Sequence, residues 1–327
     1  MADNFGSTEA RLARAMANTS QFSGATVLSA TTIPAIAMPM HMGLDAVSCL
    51  VAGADGTPLA FAKTFRDGAL DPFTFEGAAE AARRAGAIGI GPTLLGHDVA
   101  ERVLFLTPAV PDWHMVLARE AQRKDTKAAI AAAKKLWHSQ PLLGVDLSVF
   151  DLARIFTEKL KPHIEEGAAD PLPFKGSIPF AAMCDWIEHI EVAFRAAGSD
   201  RVPIHGENTV SNILANERGE VLLVDFDRAV DADPLFDLGG LMHDLCREDR
   251  ERMELVEMYA GRPDERILAR MKLYSLVDDF VWGCWALLSE LDGRRGGPEY
   301  YKYGNNRFVR LGFHLQIFDV PNLLLKI

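Results

Sequence analysis

Strand patterns occupy the first third of this 327-residue chain, and helical patterns fill most of the rest. Apolar runs on either side of the turn Asp55-Gly56-Thr57 predict a β-hairpin, and residues 102–107 form a further strand pattern. Two short strand patterns, 212–215 and 221–225, interrupt the helical part. This order predicts an α+β fold of two lobes, with a small β-rich N-terminal lobe and a larger, mainly helical C-terminal lobe.

The pattern divides the chain into an N-terminal extension (1–40), an N-terminal lobe (41–110) and a C-terminal lobe (111–327). The composition changes after Pro111, and helix-favouring residues dominate from Thr126 onward. We expect a cleft between the two lobes, and ligands tend to bind in such clefts. Helices are predicted at residues 75–85, 126–138, 150–161, 179–197, 238–260, 265–291 and 299–318.

The formal net charge of −11 argues against nucleic acids and anionic membranes as partners, because binding to them needs concentrated positive charge. It favours a cationic small molecule. The four cysteines lie far apart without a Cys-x-x-Cys pair, which is typical of reduced thiols in a cytoplasmic protein. No window reaches the roughly 18 apolar residues of a membrane span, and the first residues do not resemble a signal peptide.

Residues 204–214 contain groups suited to phosphoryl transfer. Transfer from ATP needs a carboxylate that orients the attacking hydroxyl, and oxygen ligands that hold Mg²⁺ on the phosphates. A kinase catalytic loop places its carboxylate five residues before a metal-binding Asn, and Glu207 and Asn212 have this spacing. Each residue alone is more often a packing or capping residue. The joint pattern is what indicates a phosphotransfer site.

Asp225 is the predicted second metal ligand. A tight turn at Arg218-Gly219 would make a hairpin in which Asn212 lies directly opposite Asp225. Because Arg-Gly is not the favoured Asn-Gly, a longer loop would shift this register by one residue. In either register the two side chains converge from the open end of the hairpin.

The segment from His205 to Leu238 resembles the signature of the aminoglycoside phosphotransferase and choline/ethanolamine kinase superfamily. The matching residues are His205, Gly206, Asn212, Ile213, Leu214, Asp225, Phe226, Asp227, Asp233, Pro234, Asp237 and Leu238. The resemblance implies a protein-kinase-like fold, ATP and Mg²⁺ as cofactors, and a supporting role for His205 and Asp237 beside the catalytic loop.

Glu207 departs from this signature, because the family has Asp at the catalytic position. Glu keeps the carboxylate but adds a methylene, and a displacement of about 1 Å can cost ~10²-fold in rate. Either the loop has shifted to compensate, or the activity is weak.

Lys63 ends a strand pattern at the place where related kinases keep a basic residue for the α- and β-phosphates. Its partner should be a helical Glu shortly afterwards. Glu76 and Glu80 are both available and share one helix face. The spacing does not decide between them, and we assign Glu80 to the nucleotide site with Lys63.

Trp282 and Trp285 project from one face of a predicted helix. Such a pair is often a core stripe, but it also suits an aromatic cage for a quaternary ammonium ion, which is attracted to ring faces. The surrounding sequence is similar to the C-terminal motif of choline kinases. That resemblance implies that Trp282, Trp285 and Tyr303 line a cation pocket and that Asp244 pairs with the cation.

These features predict an ATP- and Mg²⁺-dependent kinase that phosphorylates the hydroxyl of a cationic amino alcohol such as choline or ethanolamine. An aminoglycoside or another amino sugar is the alternative acceptor. A catalytically weak, nucleotide-binding pseudokinase is the alternative from another class, supported mainly by Glu207. The sequence leaves open whether the protein is a monomer or a homodimer.

Overall fold

The computed structural model describes residues 3–22, 24–29, 46–68, 71–165, 178–292 and 300–327. These residues form two compact units. The first contains the described residues of 1–117 together with 211–229. The second contains those of 118–210, 230–294 and 299–327.

A five-stranded antiparallel sheet with the order β1-β2-β3-β5-β4 organises the first unit. Its strands are β1 (Thr26–Ser29), β2 (Ala46–Ala52), β3 (Pro58–Phe65), β4 (Leu94–Asp98) and β5 (Val103–Leu106). The predicted hairpin is confirmed, because β2 and β3 are adjacent and antiparallel. Asp55 stabilises its turn by accepting hydrogen bonds from the backbone N–H and the hydroxyl of Thr57.

Two helices pack on residues of this sheet. Helix α1 (Asp3–Asn18) buries Leu12 and Met16 in a cluster with Phe22, Val51 and Phe105. Helix α2 (Phe75–Ala87) begins after Thr74, whose hydroxyl accepts a hydrogen bond from the N–H of Gly77. Phe75 and Ala79 of α2 join a second buried cluster with Phe65 and Leu104. The strand that carries Lys63 therefore has apolar packing at both of these clusters.

The first unit also contains a small sheet with the order β6-β8-β9. Its strands are β6 (Trp113–Met115), β8 (Ile213–Asn216) and β9 (Val221–Leu223). The N–H of Leu223 donates a 2.7 Å hydrogen bond to the carbonyl of Ile90, which follows α2. A Cβ on Gly91 would lie 3.1 Å from the Leu223 carbonyl, so a glycine permits this close approach.

The second unit is mainly helical. It contains α3 (Ala118–Ala121), α4 (Lys124–His138), α5 (Val149–Glu165), α6 (Phe180–Ala197), α7 (Pro234–Leu245), α8 (Asp249–Ala260), α9 (Glu265–Asp292), α10 (Tyr300–Ile317) and α11 (Val320–Lys326), and the paired strands β7 (Val202–Ile204) and β10 (Val230–Ala232). Helix α9 is buried without a break from Leu268 to Leu287, because α5, α7 and α10 all pack against it. Its acidic residues in this stretch are therefore interior groups.

The predicted helix over residues 238–260 is wrong in its extent, because two helices occupy this region. Helix α7 begins at Pro234, where the Asp233 carboxylate accepts the N–H of Leu235. It ends before Cys246, whose backbone is extended. Helix α8 then starts at Asp249. Starting at Pro234 places Asp237 in the first turn of α7.

The predicted α+β class is confirmed, since strands dominate the N-terminal part and helices most of the remainder. None of the helices that the structure describes is long and apolar enough to cross a membrane.

Candidate active site

Lys63 is bound to both carboxylates of the Asp225-Phe226-Asp227 motif in the first unit. Its Nζ lies 2.5 Å from Asp225 Oδ1 and 2.5 Å from Asp227 Oδ2. Burial opposes the charge on Lys63 and Asp225, but their ion pair outweighs it, so the pKa of Lys63 is raised and that of Asp225 is lowered. Burial and the neighbouring Asp225 charge raise the pKa of Asp227. One ammonium group thus lies between two acidic groups.

Asp225 follows β9 in a left-handed backbone conformation, with φ of 70°. Non-glycine residues rarely adopt it, although Asp tolerates it better than most. Such residues concentrate at functional sites, where the surrounding structure holds them in place. The left-handed turn separates Asp225 from the regular strand and lets Asp225 and Asp227 reach the same ammonium group.

The register of the β8–β9 hairpin differs by one residue from a tight Arg218-Gly219 turn. Ile213 lies opposite Leu223, so Asn212 faces Val224, and the Val224 N–H donates a 3.0 Å hydrogen bond to the Asn212 carbonyl. The cause is a three-residue loop between Asn216 and Glu220, closed by a hydrogen bond from the Asn216 N–H to the Glu220 carbonyl.

Gly219 and the side chain of Asn216 explain the longer loop. Gly219 has φ of 77°, which glycine adopts without strain. The Asn216 side-chain oxygen accepts the N–H groups of both Arg218 and Glu220. The loop therefore has its own hydrogen bonds, and Asn212 and Asp225 remain neighbours at the open end of the hairpin.

The oxygen atoms at this end suit Mg²⁺. Asp225 and Asp227 already direct one carboxylate oxygen each toward a shared cation, the Lys63 ammonium. Carboxylate and amide oxygens are the protein ligands that Mg²⁺ prefers, and Asn212 would supply an amide oxygen. The residues present therefore fit the metal that the sequence predicts.

The second unit contains another group of potential metal ligands: His243, Asp279 and His314. Their ligand atoms lie within 4.8 Å of one another. The geometry of this group does not suit a metal. The two imidazole rings are stacked with centroids 4.5 Å apart and planes 15° apart, so their nitrogens do not converge on a common point. Asp279 is already bound by the guanidinium groups of Arg307 and Arg310. We assign no metal to this cluster.

Glu80 does not pair with Lys63, contrary to the expectation from the sequence. Its carboxylate binds Arg83 Nε and Arg84 Nε, each at 2.7 Å, and the hydrogen bond from Arg83 is the main reason that the pKa of Glu80 falls to about 2. Basic residues three and four positions along the same helix compete for the glutamate. Lys63 takes its partners from the motif at Asp225 instead. The nucleotide role of Glu80 stays a prediction.

In the second unit, Asp237 holds the backbone of the predicted catalytic loop. Its Oδ2 accepts the N–H of His205 at 2.8 Å, and its Oδ1 accepts the N–H of Gly206 at 2.9 Å. Asp237 is completely buried. Gly206 has φ of 77°, a conformation that favours glycine. The backbone is therefore held in place at Gly206, the residue directly before Glu207.

Two residues of α4 support Asp237. Lys134 Nζ lies 3.1 Å from Asp237 Oδ2 and 3.0 Å from His205 Nδ1, and His138 Nε2 lies 3.0 Å from Asp237 Oδ2. Burial lowers the pKa of Lys134. Burial would raise the pKa of Asp237, but the charge of Lys134 and the hydrogen bond from His138 hold it well below its ordinary value. Asp237 is therefore an ionised acceptor at neutral pH.

Glu207 and Asp244 border the same loop. Glu207 is 8% exposed, and its carbonyl oxygen lies 3.5 Å from Lys134 Nζ. One carboxylate oxygen of Asp244 accepts the N–H of Val210 at 3.1 Å. Asp244, predicted as the partner of a substrate cation, thus also binds the loop backbone.

The predicted cage residues lie together in the second unit. The ring centroid of Trp285 is 6.1 Å from that of Trp282, 5.7 Å from that of Tyr300 and 6.3 Å from that of Tyr303, and all three pairs are edge-to-face. All four rings are buried. The sequence analysis did not assign Tyr300 to this cluster.

A buried ion network adjoins these rings. The Arg307 guanidinium donates to the Tyr303 hydroxyl and to Asp278 and Asp279, and it lies 5.1 Å from the centre of the Tyr303 ring. Burial raises the pKa of Asp278. Arg310, the largest charge acting on Asp279, outweighs burial there and lowers its pKa to about 2. Tyr303 thus already contacts an internal cation.

Besides Tyr300, sequence reasoning missed several charged residues of these clusters, among them Asp227, Lys134, Asp278 and Arg307. Asp227 had a signal, since it replaces the glycine of a kinase Asp-Phe-Gly motif. The other three lie far along the chain from their partners, and each resembles an ordinary charged residue of a helix surface.

The model of the phosphotransferase enzyme family (APH) matches residues 97–274. Among curated proteins, none matches the chain. This range includes the predicted catalytic loop, Asp225 and Asp237.

Solved structures resemble the chain over most of its length. A choline/ethanolamine kinase family protein from Mesorhizobium loti has a TM-score of 0.74 and 18% identity, covering 97% of each chain. The choline kinase LicA from Streptococcus pneumoniae, in complex with AMP, has a TM-score of 0.69 and 15% identity, covering 92% of this chain and 94% of its own. An aminoglycoside 3′-phosphotransferase of type VIII has a TM-score of 0.53 and 22% identity, covering 84% and 99%. These similarities confirm the predicted kinase-like fold.

Proposed function

Because the chain belongs to the phosphotransferase enzyme family, we propose that it transfers the γ-phosphoryl group of ATP to the hydroxyl of a cationic amino alcohol such as choline or ethanolamine. The cluster of Lys63 with Asp225 and Asp227 is the observation that carries the phosphotransfer part of this proposal. It places a partly buried ammonium group and hard oxygen ligands at one end of a hairpin, which are the groups that phosphoryl transfer requires.

The proposed roles follow from the chemistry of each side chain. Glu207 accepts the hydrogen bond of the substrate hydroxyl and orients it. Lys63 binds the phosphates, and Asn212 with Asp225 would hold Mg²⁺, which neutralises charge on the phosphates when bound. Asp237, His205 and Lys134 keep the loop backbone in place.

The cluster of Trp282, Trp285 and Tyr303 supports a cationic acceptor. Aromatic faces attract ammonium groups, most strongly where water is excluded, and these rings are all buried. Asp244 would add a carboxylate for the cation. The likeness to a choline/ethanolamine kinase family protein agrees with this class of substrate.

A panel of acceptors tests the proposal. Purified protein is incubated with Mg-ATP and choline, ethanolamine, an amino sugar or an aminoglycoside, and ADP and the phosphorylated product are both quantified. We expect acceptor-dependent turnover with an amino alcohol, and none in Asp225→Asn. Turnover with the amino sugar or aminoglycoside alone would show that the acceptor belongs to that class and is not an amino alcohol. ATP binding without turnover on any acceptor would overturn the kinase function and favour a nucleotide-binding protein.

A further inference from the structure

Asp278 is a completely buried carboxylate in the middle of α9. Its Oδ1 accepts hydrogen bonds from Asn208 Nδ2 at 3.2 Å and from Trp282 Nε1 at 3.0 Å. Its Oδ2 accepts one from Arg307 Nη1 at 3.0 Å. Three groups from different parts of the second unit therefore meet at one side chain.

Asn208 connects Asp278 to the catalytic loop, because it directly follows Glu207. Its amide NH₂ group donates to Asp278 and, at 3.4 Å, to the carbonyl of Phe236, whereas its Oδ1 is buried without a hydrogen-bond partner among the described residues. Two acceptors facing the NH₂ group fix the orientation of the amide. Without Asp278, one long hydrogen bond would remain to hold this side chain.

Trp282 and Arg307 connect Asp278 to the aromatic cluster. Trp282 bonds to Asp278 directly through its indole N–H. Arg307 donates to Asp278 and also to the Tyr303 hydroxyl, from Nε at 3.0 Å and from Nη2 at 2.7 Å. Two of the proposed pocket walls are thus oriented by hydrogen bonds that begin at Asp278.

We infer that Asp278 is a positioning residue that couples the aromatic substrate pocket to the catalytic loop. It sets the orientation of Trp282 and Tyr303 and the position of Asn208 beside Glu207. The inference rests on the proposed function, since it concerns the acceptor site of that reaction. A defect at Asp278 therefore affects acceptor binding and turnover together.

Asp278→Asn is the direct test, because every partner of Asp278 is a hydrogen-bond donor. An amide of the same shape must turn its own NH₂ group toward one of these donors, so at least one hydrogen bond is lost. Asp279→Asn is the matched control. Asp279 is the next residue and is equally buried, but its hydrogen bonds come from Arg307 and Arg310 and none joins it to Asn208 or Trp282.

The experiment measures kcat, the KM for the amino alcohol, the KM for ATP and the melting temperature of each variant. We expect Asp278→Asn to lower kcat at least about tenfold and to raise the acceptor KM several-fold, with the KM for ATP unchanged. Asp279→Asn should lower the melting temperature and change the kinetic constants less than Asp278→Asn does, because Arg307 keeps Asp278 as a partner and the hydrogen bonds of Asn208 and Trp282 are untouched. Equal kinetic effects of the two variants would overturn the inference.

Asn208→Ala provides an independent measurement that leaves every charged residue of the ion network in place. Because Asn208 is not one of the pocket rings, the link through Asp278 predicts that this variant raises the acceptor KM together with its loss in kcat. The losses in kcat from Asn208→Ala and Asp278→Asn should be non-additive. An unchanged acceptor KM in Asn208→Ala overturns the coupling even if Asp278→Asn does not fold. A wild-type protein inactive on every acceptor would instead refute the proposed function itself.

Discussion

At the scale of single residues, the proposed catalytic role of the loop depends on Glu207. Its backbone is held on one side by the hydrogen bonds of His205 and Gly206 to Asp237. We expect Glu207→Gln to lower kcat at least ~100-fold with little change in the KM for ATP, because a positioned general base contributes about 10²–10⁴-fold. Glu207→Asp, which restores the carboxylate length of the family signature, should retain or raise turnover. Steady-state kinetics measure kcat in both variants. An unchanged kcat in Glu207→Gln, or equal losses of kcat in the two variants, would contradict a role for the Glu207 carboxylate in the reaction.

Trp285 is the residue of the cluster with ring contacts to Trp282, Tyr300 and Tyr303. We expect Trp285→Leu to weaken choline binding about 2- to 30-fold or more, since a cation–π contact contributes about 0.5–2 kcal/mol. Trp285→Phe keeps an aromatic face and should lose less. Calorimetric titration with choline and, separately, with ATP measures both effects. Trp137→Leu, which removes another fully buried indole, is the control for damage to the core. Equal losses in Trp285→Leu and Trp285→Phe would exclude the ring face as the binding group.

At the scale of elements, the two adjacent glycines of α7 face different neighbours, so their substitutions should have different effects. A Cβ on Gly240 would lie 2.3 Å from Asn208 Cβ, whereas a Cβ on Gly239 would lie 2.7 Å from the Met271 carbonyl of α9. Gly240→Ala should therefore displace the catalytic loop and lower kcat at least about tenfold, because a shift of about 1 Å can cost ~10²-fold. Gly239→Ala should lower the melting temperature without this loss of kcat. The reverse assignment of effects would contradict the role given to α7.

Local sequence predicted the elements that carry the site better than their long-range contacts. The hairpin that joins Asn212 to Asp225 follows from strand patterns a few residues apart, and only its register depended on a loop stabilised by Asn216. The pairing of Glu80 was predicted wrongly because Arg83 and Arg84 compete for it within one helix.

Lys134 could not be predicted as a neighbour of His205, since 71 residues separate them. Asp278 and Asp279 resemble exposed helix carboxylates in the sequence. Their burial becomes apparent only when helices surround α9 on several sides. The candidate site residues could therefore be predicted from local motifs, whereas the residues that hold them in position depend on the tertiary structure.

At the scale of the whole molecule, buried histidines make the stability of the protein depend on pH. His314 on α10 is 6% exposed, and burial lowers its pKa to about 4. The charged groups acting on it are Asp279, which opposes this shift, and Arg310 and Arg252, which add to it. The side chain of the neighbouring His243 is also buried, and the same loss of solvation lowers its pKa well below the ordinary value.

The sign of the effect follows from which state binds the proton. Above about pH 6.5 the imidazole is neutral in both states, so the stability is fully present. As the pH falls from about 6.5 toward 4, the unfolded chain takes up a proton that folded His314 does not, and the free energy of unfolding decreases. Since one pKa unit corresponds to about 1.4 kcal/mol, His314 accounts for a loss of about 3 kcal/mol across this range.

Urea unfolding at intervals between about pH 7.5 and 3.5 measures this loss. His314→Gln should flatten the decline, because it removes a group that is protonated only in the unfolded state. His189→Gln, which changes an exposed imidazole on α6, should leave the slope unchanged. The pH at which stability is lost distinguishes the histidines from the carboxylates of the ion pairs. Asp225 and Asp237 have lowered pKa values, so the stability they contribute is lost only below about pH 4. A decline that begins below pH 4.5, or one that His314→Gln leaves unaltered, would assign the acid sensitivity to these carboxylates instead.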